Sequence, residues 1–302
     1  MTQAPSTTAH LLAIDWGTSS LRGALLAADG RVIDERGFAR GILTVPAGGF
    51  EAALDEAFGD WRTDGRPCLI SGMAGSRQGW VEAPYCPCPA GFAELAARLA
   101  RPATARAAAP VAIVPGLSCE HDGMPDVMRG EEVQIFGAAR MAGLADGQFV
   151  LPGTHSKWAV LRGGRVTGFR SFMTGEVYAL LSGHSILSRT LDAQAAFDEA
   201  WFVRGVERAR APGGLLHHAF GTRTLALFDR LGPQQAPSYL SGLVIGDELH
   251  QAAPQPDQPL VLIGSETLTA RYALALQVLG VPSTRRGAAA TWAGLHALAA
   301  SL

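Results

Sequence analysis

The chain contains no asparagine and a single lysine, Lys157; every other member of its 25 lysine-plus-arginine set is arginine. With abundant alanine, this bias reads as a GC-rich coding background that replaces lysine wherever arginine serves. Lysine is a compact point charge and arginine a wide planar fork, so a surviving lysine points to a tight anion pocket. Cysteine is scarce too. Cys68, Cys86, Cys88 and Cys119 are too few and too irregular for a disulfide framework. Cys86-Pro87-Cys88 lacks zinc-ligand spacing, so reduced thiols in a cytoplasmic protein are expected. No apolar run reaches the ~18 residues that a membrane span needs. The first ten residues, MTQAPSTTAH, have neither the basic start nor the apolar core of a signal peptide, and they read as a frayed tail. Excess charge is also missing. A net charge of −2 argues against broad binding to nucleic acid or anionic membranes. What is present, 302 residues at 48% hydrophobic and 17% charged, describes a compact globular protein with room for two cored domains.

One structural pattern occurs twice. Residues 11–38 read LLAIDWGTSSLRGALLAADGRVIDERGF, and residues 149–172 read FVLPGTHSKWAVLRGGRVTGFRSF. Each copy is an apolar run, a Gly-Thr pair, a second apolar run, a glycine turn and a third run opening Arg-Val. That predicts strand, polar loop, strand, tight turn, strand. The separation is too long for a solenoid period and indicates two domains of similar topology, each offering a Gly-Thr hairpin to a shared cleft. Glycine lets backbone approach a ligand closely, and a following run of N–H groups makes an anion site. Gly17, Thr18, Ser19 and Ser20 supply the first loop. Gly153, Thr154, His155, Ser156 and Lys157 supply the second. Asp15 repels a phosphate but can hold Mg²⁺ or its waters. The second loop has Leu151-Pro152 in the matching stretch and no carboxylate, so one loop serves the metal and the other phosphate alone.

The remaining pattern alternates strands and helices, an α/β fold in both halves. Helices are predicted over 50–61, 92–99, 131–141, 176–181, 193–208, 215–231, 237–251, 266–279 and 288–302. Strands are predicted over 67–71, 111–114, 260–263 and 282–285. Residues 115–130 read as a long polar loop, which is functional or mobile. A boundary near Pro115 gives domains 1–115 and 116–302. Residues 260–265 form a buried strand ending in Gly264-Ser265 before a helix, whose free N–H groups suit an adenosine or α-phosphate contact.

Together, Asp15-Trp16-Gly17-Thr18-Ser19-Ser20, Leu151-Pro152-Gly153-Thr154 and Ile263-Gly264-Ser265 resemble the three nucleotide motifs of the actin, hexokinase and heat-shock ATPase superfamily. The resemblance implies two ribonuclease-H-like domains with mixed sheets flanked by helices, and ATP and Mg²⁺ between them. A closer resemblance is to the 2-dehydro-3-deoxygalactonokinase family. It is carried by AIDWGTSSLR, SGMAGSRQGW, APYCPCPA, VMRGEEVQIFGA, PGTHSKW, FMTGE, LSGLVIGDE and SETLTARY, from about residue 11 to residue 272. That family implies transfer of the ATP γ-phosphoryl to the 6-hydroxyl of 2-dehydro-3-deoxy-galactonate, with the product feeding an aldolase.

A sugar kinase needs a metal residue, a phosphate cradle, an adenine pocket, an alcohol base and a sugar reader. Asp15 takes the metal. Arg22 joins the first phosphate loop because related kinases carry a basic residue there; otherwise it points to solvent. His155 binds phosphate or orients its loop. Related carbohydrate kinases open the helix before the second hairpin with Gly-Asp, whose Asp accepts the hydroxyl proton. Glu131 matches that Asp with one methylene more, and Glu132 and Asp126 are the alternatives. Both glutamates also suit the positive end of a helix. For the substrate carboxylate, Arg129 and Arg77 offer the fork geometry. Trp80 stacks on the sugar chain or serves as a core tryptophan, and residues 174–176 bind sugar hydroxyls or cap a helix. A homodimer is compatible with this reading. The rivals are a kinase for another sugar and a non-catalytic sugar-responsive regulator, which would be expected to add a DNA-binding segment.

Overall fold

The structure, a computed structural model, describes residues 8–62, 65–105 and 110–302. The frayed tail expected over residues 1–10 lies outside the described residues up to position 7, and Ala9 and His10 already belong to the first strand. In chain order the strands are β1 (Ala9–Trp16), β2 (Leu21–Ala27), β3 (Val32–Phe38), β4 (Cys68–Gly72), β5 (Cys86–Pro87), β6 (Val111–Ile113), β7 (Leu117–His121), β8 (Met124–Met128), β9 (Gly147–Leu151), β10 (Ser156–Arg162), β11 (Arg165–Phe172), β12 (Leu260–Ile263) and β13 (Thr284–Arg286). The helices are α1 (Phe50–Phe58), α2 (Phe92–Ala96), α3 (Glu131–Ala142), α4 (Thr174–His184), α5 (Glu199–Ala209), α6 (Gly214–Leu227), α7 (Ala236–Ala252), α8 (Glu266–Val278) and α9 (Ala289–Ala299).

The doubled pattern is a doubled sheet. One five-stranded sheet has the order β3-β2-β1-β4-β6 and the other β11-β10-β9-β12-β13. In the first, β1 pairs antiparallel with β2 and parallel with β4, so the sheet is mixed. The second repeats the parallel part: β9 with β12, and β12 with β13. This is the ribonuclease-H-like arrangement, present twice. Residues 11–14 of the central strand are fully buried, as an apolar run with sheet neighbours on both sides requires.

Two compact units are present. The first comprises Met1–Asp146, Val160–Phe169 and Ala288–Leu302; the second comprises Gly147–Ala159 and Arg170–Gly287. The strands of the first five-stranded sheet all precede Pro115, where a boundary is expected, and those of the second all follow it. The compact units divide the chain elsewhere, because α3 and α9 pack tightly together and both belong to the first unit. A Cβ at Gly137 of α3 would lie 1.8 Å from the Ala290 carbonyl oxygen, and one at Gly294 of α9 would lie 1.9 Å from that of Val133. In the second unit α5 and α7 meet in the same way, through Gly205 and Gly242.

Residues 115–130, expected as an irregular loop, instead contain the hairpin of β7 and β8, which joins β5 in a three-stranded sheet. Its turn is Asp122-Gly123, both at positive φ (51° and 75°), as a tight hairpin turn demands. The helix expected from residue 193 starts at Glu199, where the Asp198 carboxylate accepts from the Trp201 N–H and caps it. The helix expected over 176–181 is longer, running from Thr174 to His184.

Glycine at the α3–α9 contact should be irreplaceable. Gly137→Ala is expected to destabilise the protein by the upper end of about 1–3 kcal/mol or more, as overpacking does. Gly221→Ala, at an open position of α6, should instead stabilise by about 0.5–1 kcal/mol through helix propensity. Thermal unfolding of both variants checks the opposite signs.

Candidate active site

In the first unit, the loop between β1 and β2 is closed by Gly17 N–H donating to the Ser20 carbonyl at 2.8 Å. Ile42 N–H donates to the Gly17 carbonyl (3.0 Å), holding the loop from behind. Glycine is required at position 41, where a Cβ would fall 2.0 Å from the Thr18 carbonyl oxygen. Thr18, Ser19 and Ser20 are left exposed, as a ligand loop needs. Asp15 lies opposite Arg22 on β2 and Ser71 on β4, and it forms a 2.5 Å ion pair with Arg22. The Arg22 guanidinium also lies 5.8 Å over the Trp292 ring, so Arg22 is anchored rather than pointing freely to solvent.

Two glycines at positive φ bring α3 to the Asp15 end of this sheet. Gly72 (φ 95°) lies beneath Asp15: a Cβ there would be 3.4 Å from Asp15 Oδ1. Gly130 (φ 104°) lies on Gly72, with a Cβ position 3.3 Å from the Gly72 Cα and 3.9 Å from Ser71 Oγ. The next residue is Glu131. Asp15 and the start of α3, far apart in sequence, therefore share one end of the sheet.

The three candidate bases differ sharply. Glu131 is half-buried and its Oε2 accepts from the Arg129 N–H at 2.9 Å. Glu132 is fully buried; its Oε2 accepts from the Gly130 N–H at 2.7 Å, while Oε1 has no partner among the described residues. Burial, reinforced by the neighbouring Glu131 charge, pushes the Glu132 carboxyl up to about 8. Such a group is the acid form at neutral pH and is closed to an acceptor hydroxyl. Asp126, on β8, accepts from the Val127 N–H at 2.7 Å.

The two candidate sugar-reading arginines separate as well. Arg129 is built in. Its guanidinium lies 4.4 Å over the Tyr85 ring, and Nη2 donates to the Ala83 carbonyl at 2.8 Å. Its Nε and Nη1 are buried without partners among the described residues, and Gly75 leaves room for them. Arg77 is 87% exposed and pairs with Glu82 on the surface. Trp80 is partly buried, packed against the core cluster and stacked on Phe50 with ring centroids 6.3 Å apart.

In the second unit, the loop at 152–155 joins β9 to β10. Gly153 faces open space. A Cβ at Gly175 would lie 2.5 Å from the Gly153 carbonyl oxygen, so glycine there lets the first turn of α4 close onto the loop. Glu176 secures that contact twice: its N–H donates to the Thr154 carbonyl (3.1 Å), and its carboxylate meets His155 Nε2 at 2.5 Å. His155 thus has the loop-orienting alternative.

Ser156 and Lys157 correct the expectation that both belong to this loop. They are the first residues of β10, where neighbouring side chains take opposite faces. Ser156 is fully buried and bonds Tyr272 OH at 2.9 Å, out of reach of a ligand. Lys157 is 7% exposed and its Nζ donates to Ser171 Oγ at 2.6 Å. Gly264 (φ 150°) adjoins the same loop, its Cβ position 3.7 Å from the Pro152 carbonyl oxygen. The Ser265 hydroxyl is taken up in capping α8.

A cavity of about 390 Å³ adjoins Gly153 and Thr154. Its walls are mostly apolar, from Val244 and Ile245 of α7, Leu268 of α8 and Tyr178 of α4, with Arg271 adding a cation. Sequence reasoning assigned no role to these residues. The signal available was their place in the family-like segments LSGLVIGDE and SETLTARY.

Known proteins resemble the chain over nearly its whole length. A model of the 2-keto-3-deoxy-galactonokinase family matches residues 15–298. The chain is 34% identical over 301 residues to the 2-dehydro-3-deoxygalactonokinase of Escherichia coli (97% of this chain, 98% of the relative). It is 38% identical over 283 residues to a candidate counterpart from Rhizobium meliloti (91% and 92%). A crystal structure of a candidate 2-dehydro-3-deoxygalactonokinase from Sinorhizobium meliloti superposes with a TM-score of 0.89 at 36% identity, covering 96% of this chain and 98% of that one.

The Glu132 carboxyl sets a pH dependence. Its folded-state value lies above its ordinary 4.5, so the folded chain keeps a proton that the unfolded chain releases. The stability it contributes is fully present below about pH 4.5 and is lost as pH rises to about 8. Glu132→Gln keeps an acceptor for Gly130 and cannot ionise. Denaturant midpoints should therefore fall across this range more steeply for the wild type than for the variant.

Proposed function

The chain belongs to the 2-keto-3-deoxy-galactonokinase family and is a sugar-acid kinase, and from that premise we propose that it transfers the γ-phosphoryl of ATP to the 6-hydroxyl of 2-dehydro-3-deoxy-D-galactonate. The observation that carries the nucleotide half is the second hairpin. Open Gly153, clamped by Gly175 and Glu176, stands beside an apolar cavity large enough for a purine nucleoside. Its backbone and the Thr154 hydroxyl would meet phosphate oxygens, while Val244, Ile245 and Leu268 enclose the base.

The first unit carries the other candidate residues. Mg²⁺ commonly takes one or two carboxylates and fills its remaining positions with water and phosphate oxygens. Asp15 fits that demand: it is the carboxylate of the first hairpin, in a niche that Gly72 keeps free of a side chain. Among the described residues no three His, Cys, Asp or Glu side chains converge as a complete protein cage. When bound, the ion neutralises phosphate charge. Arg22, held by Asp15, adds a fixed cation at the same loop.

Glu131 is the base. It stands at the Asp15 end of the sheet, and it is the partly exposed member of the glutamate pair. It accepts the proton of the acceptor hydroxyl as that oxygen attacks phosphorus. Arg129 reads the sugar carboxylate. Its Nε and Nη1, without partners among the described residues, are spare donors for a charged ligand. The four cysteines are unpaired, which suits a reducing cytoplasm. Among the described residues no helix is long and apolar enough to cross a membrane.

An ATP-consumption screen across 2-keto-3-deoxy sugar acids and neutral hexoses tests the substrate, and phosphorus NMR of the product locates the ester. The sugar acid should be preferred and C6 substituted; equal use of a neutral hexose would remove the acid-reading site. Glu131→Gln should lower kcat by about 10²–10⁴-fold with little change in acceptor KM. Asp15→Asn should abolish most turnover while the fold survives.

A further inference from the structure

Glu248, on α7, is 2% exposed and has no cationic partner among the described residues. A buried carboxylate without a counter-charge is costly unless hydrogen bonds satisfy it. Three donors do so here, each from a different element. Trp158 Nε1 of β10 donates to Oε1 at 2.6 Å. Tyr272 OH of α8 donates to Oε2 at 2.6 Å, and Thr174 Oγ1 of α4 donates to the same oxygen. These are the elements that frame the second hairpin: β10 continues from it, α4 closes onto it, and α8 bounds the adjoining cavity.

The network also reaches the hairpin. Tyr272 OH bonds Ser156 Oγ at 2.9 Å, and Ser156 Oγ lies 3.5 Å from the Gly153 N–H, which donates to it. A hydroxyl that donates to Glu248 has its lone pairs left for Ser156. The Ser156 hydroxyl that donates to Tyr272 then has a lone pair left for Gly153. The carboxylate thereby orders a chain of bonds that ends on the backbone of the loop.

We propose that Glu248 is a positioning residue for nucleotide binding, holding the Gly153 hairpin in its phosphate-receiving shape through Tyr272 and Ser156. The proposal rests on the reading of that hairpin as the phosphate loop. A role confined to core stability is weak on physical grounds, because well-packed apolar side chains at such a position are commonly as stable or more so. Burial holds the Glu248 carboxyl above its ordinary value, and the hydrogen bonds from Thr174, Tyr272 and Trp158 offset part of that rise.

The test uses Glu248→Gln, Ser156→Ala and their combination, because neither side chain lines the cavity. ADP affinity by calorimetry, KM for ATP and for the sugar acid, and melting temperature are measured for each. Each single variant should weaken ADP binding and raise the ATP KM by about five- to tenfold, the size of one misaligned hydrogen bond. The sugar-acid KM should hold. The double variant should be no worse than the weaker single, since both break one chain. Unchanged ADP affinity with a lowered melting temperature would overturn the proposal, as would fully multiplicative effects. If Glu248→Gln gives too little folded protein, Ser156→Ala alone decides, by whether ADP affinity falls. Gly153→Ala, which places a methyl in open space at the loop, separates the two levels of the argument. If it leaves ADP binding intact, the hairpin is not the phosphate loop and both readings fall. If it weakens ADP binding while Ser156→Ala does not, only the role of Glu248 fails.

Discussion

Backbone touching backbone is the contact on which the candidate loop of each unit depends. At Gly41 and Gly175 the chain behind a ligand loop comes so near that one Cβ would collide with a carbonyl oxygen of that loop. At Gly72 and Gly130 the same economy of atoms lets a helix start rest on the end of a strand. A loop held in this way needs little side-chain packing of its own. Thr18, Ser19, Ser20 and Thr154 stay exposed on the two loops. The helices repeat the device at α3–α9 and α5–α7, so each unit is braced where residues of the site emerge.

The buried glutamates show two ways of keeping a carboxyl out of water. Glu132 has one backbone donor and an orphaned oxygen, so burial wins and the group holds its proton. Burial raises the Glu248 carboxyl as well, but three side-chain donors oppose it there. The adjacent pair therefore differs: Glu131 is half-buried and accepts from the Arg129 N–H, while Glu132 is buried and accepts from the Gly130 N–H.

The hairpins and the sheet order they imply were legible because they are local: a strand, a glycine turn and a strand announce themselves within thirty residues. The Gly130-Glu131 helix start was legible for the same reason. What escaped depends on facing or distance. Strand alternation removed Ser156 from the loop and put it into a network whose other members lie on α4, α7 and α8. The walls of the cavity come from α4, α7 and α8, which no spacing rule brings together. Arg77 and Arg129 look alike in sequence, and only the packing of Gly75 and Tyr85 shows which is built in. The Asp122-Gly123 turn was a missed local signal, since Asp-Gly between extended residues marks a hairpin.

The solitary lysine gives the second unit an internal reporter. Lys157 sits near the start of β10, one strand in from the sheet edge and almost wholly buried. A lysine-specific protease has one place to cut this chain, and an amine-reactive label has one ε-amine to find. Neither can act until β10 leaves its sheet. When opening and closing are fast, the rate of cutting or labelling reads the free energy of that opening directly. A composition that first looks like coding bias thus marks the strand following the Gly153 hairpin with one chemical address, readable without altering a residue.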